Sequence, residues 1–468
     1  MNLENDFVVE LLKKTGADIY LVGGIVRDSL LKKENHDRDI IVCDVDARTF
    51  AKDFSNNNNC SFVPLDEVNN IYRVVFPDKV NYVDITNPIN NSLKEDLRRR
   101  DITINSLAYN IKTQEIVDYT DGINDLKNGI IKAVSEKNFT DDPLRMIRVF
   151  RFASTLGFDI EKETEKIIKK HRDKILVPAQ ERINVEILKL FGGKYAHDVI
   201  LKMDELGLID ILFPIMIDEK KVPPNTHHHL PLFYHSVETV KQIQDIYEKS
   251  DSDVKEHLEK VDFGGESRLA HLKFAGFLHD IGKFSTWTIE NDGRHRFIGH
   301  DEIGSNMAKG ILKSQKFSKK QTEYISFIIK HHMYASAVVS APILTDKIFM
   351  RFVRKAEDNA IDLITISKAD RLSAKGPAIT NEMVEENIKN LNKLQDFYIQ
   401  IKPTLVPLPK LLSGEDIMKE LKIKPSPLLG EIIKSLQNAQ MEGNITSREE
   451  ALIFIRNYKA EEYNGRKK

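Results

Sequence analysis

The chain has 468 residues, enough for two to four domains whose cores need no disulfide staple. Its 69 basic and 71 acidic side chains leave a net charge of -2, so a nucleic-acid partner has to be met by local patches. Two cysteines, Cys43 and Cys60, exclude a disulfide framework and fit a reducing cytoplasm. No apolar run approaches the roughly 18 residues of a membrane span, and the acidic start MNLENDFVVE lacks a signal-peptide pattern. A cytoplasmic protein with no membrane partner is expected.

Apolar spacing at Phe7, Val8, Leu11 and Leu12 predicts an amphipathic helix over Asn2 to Thr15. The following stretch, LVGGIVRDSLLKKENHDRDIIVCDVD, reads as a strand (Ile19 to Val22), a Gly-Gly turn, a short helix and a second strand carrying Asp37 and Asp39. Strand side chains alternate faces, so these two carboxylates point the same way and can serve hard divalent cations. Gly23 and Gly24 allow close approach of a phosphate, the helix N-terminus adds amide donors, and Arg27 reaches a triphosphate oxygen. Asp44 and Asp46 have the opposite parity; Asp46 is expected to cap a helix over Ala47 to Phe54. Ser61 to Pro64, Ile71 to Phe76 and Asn81 to Ile85 read as strands, with Asp84 a candidate third carboxylate. Arg98, Arg99, Arg100 and Asp101 follow at an element boundary, where arginines beside a phosphate site suit triphosphate and RNA.

A helix is predicted over Thr140 to Gly157, capped by Asp141 or Asp142, with Pro143 in its first turn and Gly157 at its end. Asp142, Arg145, Arg148 and Arg151 recur every third residue, so adjacent members are neighbours on one side. From Arg145 to Lys174 nine basic side chains stand against five acidic ones, a modest footprint for RNA. A further helix opens after Pro178, and Gly192-Gly193 separates it from one around Ala196 to Leu206, ending a helical neck near Phe213-Pro214.

The ordered set LVGGIVRD, DRD, RRRDITINS, DDPLRMIRVFRFASTLGF and AQERINVE resembles the class II tRNA nucleotidyltransferase and poly(A) polymerase family, most of all the bacterial CCA-adding enzymes and their CC-adding and A-adding relatives. The resemblance implies an α+β fold: a polymerase-β-like nucleotidyltransferase head (a mixed sheet with helices) over residues 1–139, then all-helical units. These are a neck over 140–216, an HD domain over 217–375 and a tail over 376–468. It implies Mg²⁺ at Asp37 and Asp39, base reading by Asp142 and Arg145 with Arg148 and Arg151 nearby, and nucleotide contacts from Gly23, Gly24, Arg27, Arg100, Asp101 and Asn105. Where relatives carry Glu-Asp, this chain has Asp141 and Asp142. The implied activity is template-independent transfer from CTP and ATP to the tRNA 3′ acceptor end, releasing pyrophosphate. CC-only, A-only and poly(A) addition are the alternatives, because the strand NYVDITNPI departs from the commoner Glu-x-Thr-Thr-Phe-Arg pattern.

Eleven of the 14 histidines fall between His227 and His332, which points to a metal or acid–base site mid-chain. The ordered set His235, His279-Asp280 and Asp370 resembles the HD phosphohydrolase superfamily, with His300 and either His331 or His332 as further ligands for a two-metal site. Such ligands suit Mn, Ni, Fe, Zn or Mg, and spacing does not choose among these. The resemblance implies a phosphate contact from Lys283 and a phosphohydrolase side activity. The alternative of another class is an HD phosphohydrolase with an RNA-binding head. His227 to His229 read as an exposed run. Asn381 to Ile401 reads as a long amphipathic helix, and SGEDIM and Ser447 with Glu450 start two more in a tail that resembles that of the tRNA nucleotidyltransferases. The final Arg466, Lys467 and Lys468 are candidate RNA contacts.

Overall fold

The computed structural model describes residue 3 and residues 6–405, 409–441 and 443–465. Asn2, Arg466, Lys467 and Lys468 lie outside the described residues. The first helix is shorter than its spacing implied, Phe7–Lys13, because Asp6 caps it by accepting from the amides of Val8 and Val9.

Seven strands, β1 (Ile19–Val22), β2 (Arg38–Val42), β3 (Ser61–Asp66), β4 (Ile71–Val75), β5 (Tyr82–Thr86), β6 (Leu107–Asn110) and β7 (Ile116–Asp118), form one mixed sheet. The order is β3-β4-β5-β2-β1-β6-β7, with β2 and β5 parallel and the other neighbours antiparallel. Leu21, Ile40, Val42, Tyr72, Val74, Val83 and Ile85 bury on one face with apolar residues of the helices Phe7–Lys13, Gly24–Leu30 and Ala47–Asn57. Val22 and Ile41 face the other way, joining Leu97 and Ala108. Alternation therefore puts Asp37, Asp39 and Ile41 on one face of β2 and its lead-in, and Arg38, Ile40 and Val42 on the other. Arg38 is buried there in a 2.7 Å ion pair with Asp6, which ties the first helix to the strand between the two aspartates. Asp46 caps its helix as read, while Asp44 accepts from the Asp18 amide at the opposite end of β2.

The helix expected over Thr140 to Gly157 is two helices. Glu136–Asp141 is capped by Ser135, and Leu144–Leu156 ends at Gly157 in left-handed backbone, φ +72°. Pro143 causes the break, since it lacks an amide and disfavours helical geometry at Asp142, whose φ is -138° and ψ 95°. The helices Gln180–Gly192 and Ala196–Glu205 follow on either side of the glycine pair.

One cluster runs from Ile102 to Tyr398, through the end of the head, the neck, the histidine-rich region and the helix Asn381–Ile401. Phe213 packs on Phe274 and Phe277 with ring centroids 5.8 and 5.6 Å away, so the core is continuous across residues 216 and 217. The tail has its own core, Leu412 to Ile455, with reciprocal caps at Ser413–Asp416 and Ser447–Glu450. No described helix is long and apolar enough to cross a membrane.

Candidate active site and metal centre

Gly23 links β1 to the helix Gly24–Leu30 with φ +78°, and its amide donates to the Leu107 carbonyl at 3.2 Å. A Cβ there would sit 2.9 Å from Arg100 Nη1 and 4.0 Å from Asp39 Oδ2, so the glycine brings backbone against both a cation and a carboxylate. These groups wall a cavity of about 530 Å³, which is also lined by Gly24, Arg27, Asp37, Asp101, Asn105, Asp142, Arg145, Arg148 and Arg151. All twelve head and neck site residues read from the sequence meet in this one cavity.

Burial and the nearby Asp37 push the Asp39 carboxyl up to about 6, against the pull of Arg100. Asp39 is nevertheless solvent-exposed, since its side chain opens onto the cavity. Asp37 accepts from the Tyr82 hydroxyl. Asp84 stands beside Asp39 in the parallel register, but Arg73 grips both its oxygens at 2.7 Å, so its charge is already matched. Of the three consecutive arginines, Arg100 alone lines the cavity; Arg98 ends the helix Leu93–Arg98, and Arg99 pairs with Asp96 at 3.2 Å.

The cationic wall is held by a chain of polar groups joining head to neck. Arg27 takes both oxygens of Asp28 at 2.8 Å and donates to Asn105 Oδ1 at 2.5 Å. Asn105 donates to Asp101 at 3.1 Å, and Asp101 accepts from Arg148 Nε at 2.7 Å. Burial alone would raise the Asp101 carboxyl, but Arg148 beside it, with hydrogen bonds from Arg148, Asn105 and the Ile102 amide, holds it below the usual carboxylate range. Glu186 closes the chain, 3.5 Å from Arg148 and 2.7 Å from Arg151. Arg145 donates to the carbonyls of Arg99 and Asn138, and Asn138 in turn holds the carbonyls of Arg98 and Arg100 at 2.8 Å. Asp142 accepts from the Leu144 amide and from Arg182 at 2.8 Å.

Sequence reasoning passed over Asn35, Arg182, Glu186 and Lys189. Asn35, Arg182 and Lys189 line the cavity, and Glu186 holds its arginines. A signal was present: in AQERINVE, Arg182 and Glu186 stand four apart, hence on one helix face opposite the Asp142–Arg151 row.

The second site lies where the helix Arg268–Leu278 ends at His279 and Asp280. Asp280 Oδ2 is 3.1 Å from His279 Nε2 and 3.5 Å from His235 Nε2; its Oδ1 is 3.4 Å from His300 Nε2 and 3.7 Å from His332 Nε2. Asp370 Oδ1 adds contacts of 3.1 Å to His235 and 3.7 Å to His279. His279, His300 and His332 each donate Nδ1–H to the carbonyl three residues earlier, at 2.7, 2.8 and 2.7 Å. Their Nε2 lone pairs therefore face the centre, the second-layer arrangement that orients imidazole ligands. His332, not His331, joins the cluster, because the buried stripe Ile325, Ile328 and Ile329 continues to position 332. His331 packs instead on Phe327, ring centroids 4.7 Å apart. The run His227 to His229 is not uniformly exposed either, since His228 turns inward onto His235.

Both sites fit divalent cations. In the cavity Asp37 and Asp39 present carboxylate oxygens from one face, the donor type hard divalent cations take, and burial with the neighbouring Asp37 charge raises Asp39. At the second site Nε2 of His235, His279 and His300 and both oxygens of Asp280 are buried without hydrogen-bond partners, and the ligand atoms converge within 4.8 Å. Burial opposes charging His279, yet the Asp280 and Asp370 carboxylates push it up to about 10. Imidazole with carboxylate suits a transition metal or Mg²⁺.

Comparison with known proteins agrees in order along the chain. The family described as Poly A polymerase head domain matches residues 19–132, that described as Probable RNA and SrmB- binding site of polymerase A matches 157–219, and the HD domain matches 232–375. An A-adding tRNA nucleotidyltransferase of Deinococcus radiodurans is 30% identical over 451 residues, covering 95% of this chain and 96% of that protein. A CC-adding tRNA nucleotidyltransferase of Thermus thermophilus is 29% identical over 449 residues, covering 94% of each. The structure of the Bacillus stearothermophilus CCA-adding enzyme in complex with CTP is similar in fold, with a TM-score of 0.60 and 20% identity over 98% of this chain and 97% of that one. With identity sustained over nearly the whole of both sequences, the chain belongs to the family of tRNA nucleotidyltransferases with a poly(A) polymerase head and an HD domain.

Proposed function

We propose that this protein adds C, A or both from CTP and ATP to the 3′ end of tRNA in the cytoplasm. The reading rests on one observation: a single cavity holds the paired carboxylates of the head and the Asp142–Arg145 edge of the neck. Enzymes of this family and HD domains are generally metal-dependent. Asp37 and Asp39 would hold Mg²⁺, which would supply Lewis acidity for the 3′-hydroxyl and the triphosphate. The tRNA 3′-oxygen attacks the α-phosphorus, the bond to the β-phosphate bridging oxygen breaks, and pyrophosphate leaves. Backbone at Gly23 and Gly24, with Arg27 and Arg100, cradles the triphosphate. Asp142 offers acceptors and Arg145 donors to the base edge, each steadied by the neck and head contacts described above. Residues 1–139 carry the chemistry, 140–216 the base reader, and the remainder an HD unit and a tail.

The test is incubation with tRNA transcripts ending before CCA, after C and after CC, with Mg²⁺ and CTP, ATP or both, and product lengths read on a gel. Addition of CCA, CC or A identifies the form of the activity. Absence of any addition, or long A tails on any RNA, refutes the proposal.

A second activity, hydrolysis of a phosphate ester at the HD centre, is supported by the convergent unpartnered ligands there. Phosphate release from a 2′,3′-cyclic nucleotide, with Mn²⁺, Ni²⁺ or Mg²⁺ restored after chelation, tests it.

A further inference from the structure

His228 lies before the segment that matches the HD domain, 232–375, yet it is built into the HD centre. Its ring meets that of His235 edge-on with centroids 4.3 Å apart, and its Nε2 is 3.2 Å from Lys283 Nζ. The loop is clamped from both sides. Asn225 Oδ1 accepts from the amides of His227 and His228, and the Gly376 amide donates to the His227 carbonyl at 2.8 Å. A Cβ at Gly376 would lie 2.3 Å from the His227 carbonyl carbon, so the glycine permits this close approach.

Lys283 is buried, and its ammonium has three donors and no acceptor. It forms an ion pair with Asp280 Oδ2 at 2.6 Å and donates one N–H to His228 Nε2. That contact makes Nε2 the acceptor and places the His228 proton on Nδ1, which is buried with no hydrogen-bond partner. The ammonium is thereby held between two fixed neighbours with donor capacity to spare, which suits an anion.

We propose that His228 is a positioning residue of the HD centre, holding the Lys283 ammonium beside Asp280 so that its remaining N–H meets a phosphoryl oxygen. The inference rests on the hydrolase reading of the HD centre. His228 does not ligate the metal; it acts through Lys283.

The experiment uses the full chain with Asp37→Ala and Asp39→Ala, so that added Mn²⁺ reports the HD centre, and inorganic phosphate as the probe. Phosphate affinity is read from its effect on the Mn²⁺ electron paramagnetic resonance signal. His228→Leu is expected to leave Mn²⁺ stoichiometry unchanged and to weaken phosphate binding about tenfold, as loss of one hydrogen bond to a charged group does. His228→Gln keeps an acceptor near the Nε2 position and is expected to restore most of the affinity. His228→Leu added to Lys283→Met is expected to cost nothing further. Wild-type phosphate affinity in His228→Leu, no rescue by glutamine, or additive losses in the double variant overturn the inference and leave the hydrolase reading standing. A parent protein that binds no Mn²⁺ sensitive to His279→Ala overturns both.

Discussion

Replacing Asp101 by asparagine removes one negative charge from the joint between head and neck while keeping the shape of the side chain. The substituted amide still accepts from the Ile102 amide and from Asn105 through its oxygen, but its nitrogen confronts Arg148 Nε at a site where oxygen now lies 2.7 Å away. Removing one partner of a fully buried ion pair costs about 3–5 kcal/mol. Here the Asp101 side chain is 6% exposed but Arg148 is 34% exposed, and Glu186 stands 3.5 Å from Arg148 as a second anion. Screening and that substitute charge reduce the expected loss to about 2 kcal/mol. Urea unfolding followed by circular dichroism measures it, with KM for the added nucleotide read in parallel and expected to rise. Because Asp101 is held below the usual carboxylate range, its contribution is present above that range and is lost as pH falls through the lowered value. The difference between wild type and variant should therefore be equal at pH 7 and pH 5 and close only below about 4. Unchanged stability and KM at pH 7, or a gap that closes between pH 7 and 5, would refute the proposed role of the joint.

Asp37→Ala is expected to abolish nucleotide addition while tRNA binding, measured by filter retention, stays near wild type; substantial residual addition contradicts the metal assignment. Gly23→Ala forces a Cβ to 2.9 Å from Arg100 Nη1 at φ +78°, costing about 1–2 kcal/mol of strain; addition should fall much further than thermal stability, in paired activity and melting measurements. His332→Ala should lower the metal content of the HD centre by mass spectrometry, whereas His331→Ala should leave it unchanged; equal losses would contradict the geometry. Lys273 is buried and depressed to about 7 by burial, with Nζ donating to the Gly193 carbonyl at 2.9 Å. Between about pH 7 and 10 the unfolded chain holds the extra proton, so stability rises with pH there. Lys273→Met should remove that slope and, allowing for the orphaned carbonyl, gain about 2 kcal/mol at pH 7; an unaltered slope in urea melts at pH 7, 8.5 and 10 would count against it.

What could be read in advance followed from local rules. Strand alternation placed Asp37 and Asp39 on one face, and the buried Arg38 between them shows the rule operating. The helix break at Pro143 was equally local, but the expectation treated proline as a first-turn residue and ran the helix through Asp141. The roles of Asp142 and Arg145 came from family resemblance, because spacing alone does not distinguish a base reader from a cap and a helix surface. Their partners were out of local reach: Arg182 lies forty residues beyond Asp142, and its pairing depends on how two helices cross. Choosing His332 over His331 needed only the apolar stripe ahead of it. His228 needed more, since nothing near it in sequence announces the contact of its loop with Gly376.

The two sites are joined by three helices rather than set in separable units. Glu186 on Gln180–Gly192 holds Arg148 and Arg151 of Leu144–Leu156 against the nucleotide cavity. The same helix ends in Phe191, whose ring lies 4.9 Å from Phe274 and 5.5 Å from Phe277 on Arg268–Leu278, the helix that delivers His279 and Asp280. Phe191, Phe213, Phe274 and Phe277 are each at most 3% exposed. At about 2 kcal/mol for burying such a side chain, a cut at residue 216 would forfeit several kcal/mol of neck packing along with the HD unit. Glu186 shares Arg148 with Asp101 but pairs Arg151 at 2.7 Å, and it sits five residues before Phe191. Part of the cationic wall of the nucleotide cavity, Arg151 above all, is thus held by a helix whose far end packs against the helix that delivers His279 and Asp280.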